Sequence, residues 1–282
     1  MGGLMFVYAV FAVVMVALGV NAIFVLVLSA GMLWAQWYFS DSMALNAMRA
    51  REVTPEQAPQ LHGLIDRLCA LADMPKPRVA IADTDIPNAF ATGRSPDRAA
   101  VCVTTGLLRR LDRDELEAVL SHELSHVAHR DVTVMTVASF AAIVAGLLIR
   151  SAMWGGLSSN RRDQNGALVF LAVIAVSALV YLVSFVLTRA LSRYRELAAD
   201  RGGALLTGNP AALARALQKI SGDIGQIPTK DLRAMEPVNA FAIAPALHKG
   251  GGQMDIASLF SSHPPLEKRL ENLAQVANEL GT

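Results

Sequence analysis

The residues best suited to chemistry in this chain are His122, Glu123 and His126, in the run Ser121-His122-Glu123-Leu124-Ser125-His126. Two histidines four positions apart on a helix leave from one face, so both imidazoles can reach a single zinc ion. Glu123 follows the first histidine directly and stands beside the metal position rather than on it. From there it can take a proton from water and hand it to a leaving amine, as a general base and acid in metal-assisted hydrolysis. Catalytic zinc takes three protein ligands and keeps one position open. His129 lies three residues past His126, about 300° round the helix, and reads as a solvated or interfacial histidine. The longer pattern H-E-x-x-H-x-x-G-x-x-H is excluded, because position 129 is His and position 132 is Val. Glu196 is the better third ligand. In Arg195-Glu196-Leu197-Ala198-Ala199-Asp200 the two carboxylates are four apart and share a helix face. Glu196 can then ligate, while Asp200 accepts a hydrogen bond from a ligand histidine and holds its tautomer.

Several elements must position these groups. Asp112 is a natural N-cap for the helix carrying the two histidines, with Glu115 at the capping-box position. Upstream, Thr54-Pro55-Glu56 is expected to open a helix with Leu61, Leu64, Ile65 and Leu68 on one face, ended by Pro75 and Pro77. Short strands are expected at 79–81, 89–91 and 99–104, separated by the turn residues Pro87-Asn88, Gly93 and Ser95-Pro96-Asp97. Gly208-Asn209-Pro210 stops the helix of Glu196 and starts another. Residues 249–253 are Gly-rich, and a last amphipathic helix begins near Pro265. His62 and His248 read as solvated surface residues.

Composition bounds the setting. Hydrophobic residues make up 53% and charged residues 17% of the 282, which leans towards a membrane protein. A net charge of +1 supplies no field to draw nucleic acid. Cys69 and Cys102 are too few for a disulfide framework and read as buried free thiols of a reducing compartment. Residues 4–39 are almost wholly apolar and longer than one span of about 20 residues, so they read as two helices in a hairpin. Trp34, Trp37 and Tyr38 close it as an aromatic belt. The start, Met1-Gly2-Gly3, lacks a positive region, so no cleavable leader is expected. Residues 132–149 and 167–187 are two further apolar runs.

The expected organisation is therefore two spans in 1–40, a soluble part in 41–131 with a small sheet and the zinc helix, a span pair in 132–188, and a second soluble part in 189–282. Arg49, Arg51, Arg130, Arg189, Arg193 and Arg195 flank the spans on one side, which the positive-inside rule assigns to the cytoplasm. An antiparallel pair of spans would bring His122, His126 and Glu196 together at one membrane face.

With these pieces in view, the chain resembles the HtpX-type membrane metalloproteases, relatives of the CAAX prenyl endopeptidase. The resemblance rests on Pro87-Asn88-Ala89-Phe90-Ala91-Thr92-Gly93, the run from His122 to His126, the Glu196–Asp200 pair, and Ser262-His263-Pro264-Pro265 with Arg269. It implies a mainly α integral membrane protein with a gluzincin-like helical protease core, a small β-sheet and about four transmembrane helices. It implies one Zn2+ per subunit, a site facing the cytoplasm from the inner membrane, and quality control of unfolded or damaged membrane proteins under stress. Residues 88–92 are then expected to form an edge strand that binds an extended substrate backbone, with Asn88 and Phe90 as contacts. His263 is expected to donate to the oxyanion of the reaction. The rival readings are a non-catalytic zinc-containing membrane scaffold and a dedicated processing protease.

Overall fold

The computed structural model describes residues 37–136, 164–224 and 264–281, with residue 138 and scattered positions between 27 and 35. Most of the expected hairpin in 4–39, most of the run 132–149, the Gly-rich stretch 249–253, His248 and His263 fall outside the described residues. The chain divides into two compact units, one of Met1–Tyr38 and Val134–Ala190, the other of Phe39–Thr133 and Leu191–Thr282. The described residues are mainly helical with one small sheet.

In the first unit, the ring of Trp34 stacks on Tyr38 at 5.1 Å. The Arg189 guanidinium covers the Phe185 ring at 5.1 Å, a cation–π contact. Leu179, Leu182, Val183, Val186 and Leu187 are exposed along one helix. Among the described residues, no helix is long and apolar enough to cross a membrane.

The second unit contains a four-stranded sheet in the order β1-β2-β4-β3. The strands are β1 (Arg51–Glu52), β2 (Arg78–Ala82), β3 (Ala89–Thr92) and β4 (Ala100–Thr104). The pair β2–β4 is parallel, with Ala80 opposite Cys102. The pair β3–β4 is antiparallel, with Phe90 opposite Cys102 and Ala91 opposite Val101. β3 is thus an edge strand. The helices are α1 (Ser40–Ala47), α2 (Pro59–Leu71), α3 (Thr105–Arg110), α4 (Arg113–Ala128), α5 (Gln164–Thr207), α6 (Pro210–Ile224) and α7 (Leu266–Leu280).

One sheet face, with α2, α4, α6 and α7, encloses the main core around Ile65, Leu68, Val101, Val103, Leu120, Leu124, Leu213 and Leu273. The other face packs Ala80, Ala82, Phe90, Ala100 and Cys102 against Ala44 and Leu45 of α1. The strict alternation of β-strand side chains produces this division.

Two expectations are corrected here. The helix expected to open at Thr54 begins at Pro59. Residues 54–58 form a turn in which the Thr54 carbonyl accepts from the Gln57 and Ala58 amides at 3.0 and 3.1 Å. Pro59 then occupies the first helical turn, where a missing N–H sacrifices no hydrogen bond. His62 is not a surface residue: it is 6% exposed. It shares a helix face with buried Ile65 and Cys69 at the i, i+3, i+7 spacing, and its Nε2 lies 2.9 Å from the Val53 carbonyl.

At the far end of α5, Gly208 has φ +67° and lets the chain turn out of the helix without a Cβ penalty. Asn209 Oδ1 accepts from the Ala212 amide at 3.1 Å, which satisfies one orphan donor of α6.

Candidate active site

The frame of the site is helix α4, whose start is held on both sides. Asp112 Oδ1 accepts from the Glu115 amide at 2.9 Å, and Glu115 Oε2 accepts from the Asp112 amide at 3.1 Å. This is the expected capping box. Glu115 is buried, and Lys219 Nζ of α6 donates to its Oε2 at 2.7 Å, so the cap also anchors α4 to α6.

Further along, α5 approaches α4 at Gly203. A Cβ there would stand 2.8 Å from the His122 amide nitrogen and 2.9 Å from Ser121 Oγ. Only a glycine permits that approach, and Ser121 Oγ uses it to donate to the Gly203 carbonyl at 3.1 Å. This contact lies beside His122 on α4 and one helical turn from Asp200 on α5, so it sets the distance across which the two helices offer their polar groups.

Three side chains converge from these helices. His122 Nε2 and His126 Nε2 are 3.2 Å apart. Glu196 places Oε1 3.5 Å from His126 Nε2 and Oε2 3.8 Å from His122 Nε2. Their ligand-capable atoms all lie within 4.8 Å of one another. Atoms bound at about 2.0–2.1 Å to a tetrahedral zinc stand about 3.3 Å apart, so the spacing fits the metal.

The electrostatics fit it as well. His122 Nδ1 is 2.9 Å from Asp200 Oδ1, and His126 Nδ1 is 2.5 Å from Asp131 Oδ2. A ring nitrogen facing a carboxylate carries the proton, which leaves the other nitrogen as a lone pair. Both Nε2 lone pairs therefore face each other beside the Glu196 carboxylate. Three acceptors in that arrangement favour a cation among them, and the Arg269 guanidinium already flanks two of them, 3.7 Å from Glu196 Oε2 and 3.5 Å from His122 Nε2.

Each histidine thus has its own carboxylate, and each carboxylate its own arginine. Arg269, 2% exposed, holds Asp200 through two bonds, Nε at 2.8 Å and Nη2 at 2.6 Å. Arg195 Nη2 holds Asp131 at 2.5 Å. Burial pushes the Asp200 carboxyl up, but the Arg269 charge and the Arg269 and His122 hydrogen bonds prevail and hold it below the usual carboxylate range. Asp131 is likewise raised by burial and lowered further by the hydrogen bonds from His126 and Arg195, ending low. Burial depresses His126, yet the Asp131 hydrogen bond and the charges of Glu196 and Glu123 outweigh it, so the imidazole is shifted up.

Glu123 is 5% exposed, and its Oε2 accepts from the Ala91 amide of β3 at 2.9 Å. Burial, opposed by the two imidazoles, pushes its carboxyl above the ordinary value.

The structure brings His122, Glu123, His126, Glu196 and Asp200 together. His129 is exposed and caps the end of α4 with its Nδ1 2.8 Å from the Ser125 carbonyl, away from the cluster. Asn88 is buried, and its carbonyl accepts from the Thr104 amide at 2.9 Å. Phe90 is corrected: its side chain is 3% exposed and packs on the sheet face with Leu45 and Cys102. The period-two alternation of β3 turns it away from the site. Sequence reasoning overlooked Asp131, Arg195 as its partner, and the Ala91 amide. The signal for Asp131 was an acid just past the helix end. A continuing helix would have carried it away from His126. Arg130 instead adopts φ +53°, a left-handed conformation that costs a non-glycine residue about 1–2 kcal/mol, and this turn redirects Asp131.

Comparisons with known proteins agree with this geometry. The sequence pattern described as peptidase family M48 matches residues 55–277. "Protease HtpX homolog 1" of Streptomyces coelicolor is 56% identical, over 97% of this chain and 89% of its own length. "Protease HtpX homolog" of Moorella thermoacetica is 53% identical, over 97% of this chain and 90% of its own. The crystal structure of S. mikatae Ste24p superposes with a TM-score of 0.56 at 17% identity, covering 97% of this chain and 63% of that one. The chain thus spans less than two thirds of that protein, and at this identity the likeness concerns the fold alone.

Proposed function

The chain belongs to peptidase family M48, and from that premise we propose that it is a membrane zinc endopeptidase that cuts misfolded or damaged membrane proteins. That it is a metallopeptidase of the HtpX kind follows from the family and from relatives more than half identical. The choice of zinc, the ligand set and the substrate are our reading.

One observation carries it: the convergence of His122 Nε2, His126 Nε2 and Glu196 within 4.8 Å, with the Glu123 carboxylate adjoining. Bound there, zinc would supply Lewis acidity, which polarises a carbonyl and eases deprotonation of water. Glu123 takes the proton from the attacking water and returns it to the leaving amine. The Ala91 amide orients the Glu123 oxygen that does so. Asp200 and Arg269 keep His122 in the tautomer that turns Nε2 inwards. Residues 89 and 91 of β3 turn their backbone groups away from β4, and apart from the Ala91 amide, which Glu123 engages, that edge lets an extended peptide align through main-chain hydrogen bonds. Recognition of that kind reads conformation more than sequence, and favours unfolded segments over folded ones.

Membrane placement is supported by the apolar runs of the sequence and by the exposed row Leu179, Leu182, Val183, Val186 and Leu187. An exposed apolar row on one helix face fits contact with lipid or partner protein. Two spans in 1–40, a pair in 132–188 and a cytoplasmic site make up the full topological proposal.

Detergent-purified protein should contain about one zinc per chain. It should cleave casein or a destabilised membrane protein, lose the activity to a chelator and recover it with zinc. Undiminished cleavage by metal-free protein overturns the proposal.

A further inference from the structure

We propose that Asp131 and Arg195 form a positioning pair for His126, a counterpart to Asp200 and Arg269 behind His122. The inference rests on the reading of His126 as a metal ligand.

Three observations support it. Asp131 Oδ2 stands 2.5 Å from His126 Nδ1, and the same oxygen stands 2.5 Å from Arg195 Nη2. Asp131 is 5% exposed, so water competes little for its charge. Arg130, directly before it, is held at φ +53°. Arg49 and Asp73 adopt the same backbone conformation elsewhere, so what matters here is that the turn at Arg130 brings Asp131 back onto His126.

The chain arrangement explains the purpose. α4 ends at Ala128 with His129 as its C-cap, so His126 sits in the last turn, where a helix frays most readily. His122, by contrast, is mid-helix and 1% exposed. The ligand in the last turn therefore gains from an outside hold. Asp131 supplies it by folding back across the left-handed turn. Arg195 fixes Asp131 from the neighbouring helix, one residue before Glu196. One hydrogen-bond chain, Arg195–Asp131–His126, thus ties the end of α4 to the part of α5 that carries the third ligand.

The test measures zinc affinity by chelator competition on the full-length, detergent-purified protein, and the absorption spectrum of the cobalt-substituted form. Asp131→Ala should weaken zinc binding about 10–100-fold, the usual scale for losing such a partner, and shift the cobalt spectrum. Asp131→Asn keeps the shape and an acceptor for Nδ1–H but lacks the charge, so it should lose affinity measurably and by less. Arg195→Gln should produce part of the Asp131→Ala loss and add nothing in the Asp131→Ala background. Wild-type affinity with an unchanged cobalt spectrum in Asp131→Asn overturns the proposal, even if Asp131→Ala fails to fold. Full additivity of Arg195→Gln with Asp131→Ala removes Arg195 from the pair. His126→Ala serves as the reference. If it leaves zinc bound at wild-type affinity, the ligand assignment itself fails. If it abolishes binding while Asp131 variants do not move it, only this inference fails.

Discussion

The amide nitrogen of Ala91 stands 2.9 Å from Glu123 Oε2, which joins the edge of the sheet to the carboxylate proposed as the base. One backbone group therefore belongs to the strand that a peptide would align on and holds the carboxylate that would accept the proton of the attacking water. Proline at position 91 deletes this donor without breaking the β3–β4 ladder, because an edge strand tolerates proline where its N–H points outwards. Ala91→Pro should keep its metal and lower kcat at least about 10-fold, within the range that a positioned acid–base group contributes. Wild-type turnover in a folded Ala91→Pro protein would remove the amide from the mechanism.

Glu123→Gln keeps the size and burial of the side chain and removes its basicity. Zinc content should stay at the wild-type level, because the residue stands beside the ligands. Casein cleavage should fall at least about 100-fold. Metal analysis and a rate measurement on the same preparation decide the matter, and near-normal turnover would exclude Glu123 as the base.

The third ligand can be separated from its nearest rival. Glu196→Ala should lower zinc occupancy after dialysis against a weak chelator. His129→Ala should leave occupancy unchanged, because the imidazole Nδ1 already caps α4 at the Ser125 carbonyl. Asp200→Ala should weaken affinity about 10–100-fold and also lower the melting temperature, since it leaves the buried Arg269 charge without its main partner. Zinc content that tracks His129 and ignores Glu196 would refute the ligand set.

The native cysteines offer a clean background for mapping topology. Cys69 and Cys102 are both buried free thiols, and burial pushes the Cys102 thiol up to about 12. The thiolate is the reactive form, so at pH 8 neither residue should react with a maleimide until the protein is unfolded. Cysteines introduced by Ser159→Cys and Ser262→Cys should then be labelled from opposite faces of the membrane. Labelling of both from the same side would contradict the span pair in 132–188.

The sequence by itself determined the local chemistry of the site, because that chemistry depends on spacing along one helix. His122 and His126 share a face through the four-residue period, and so do Glu196 and Asp200. The capping box at Asp112 and Glu115 was legible for the same reason, as were the strands β2, β3 and β4, whose residues carry their own conformational preferences. Tertiary structure decided whatever depends on two segments meeting. Phe90 looked like a substrate contact until the pleat of β3 turned it into the core under α1. His62 looked solvated until the helix face it shares with Ile65 was buried. Arg269 stood out only as part of a motif, whereas its burial against Asp200 is set by how α7 docks on α5. Asp131 was hidden because helical periodicity carries it away from His126, and only the left-handed turn at Arg130 brings it back. Periodicity is a property of one element, and a backbone reversal with its cross-helix arginine is a property of the packed whole.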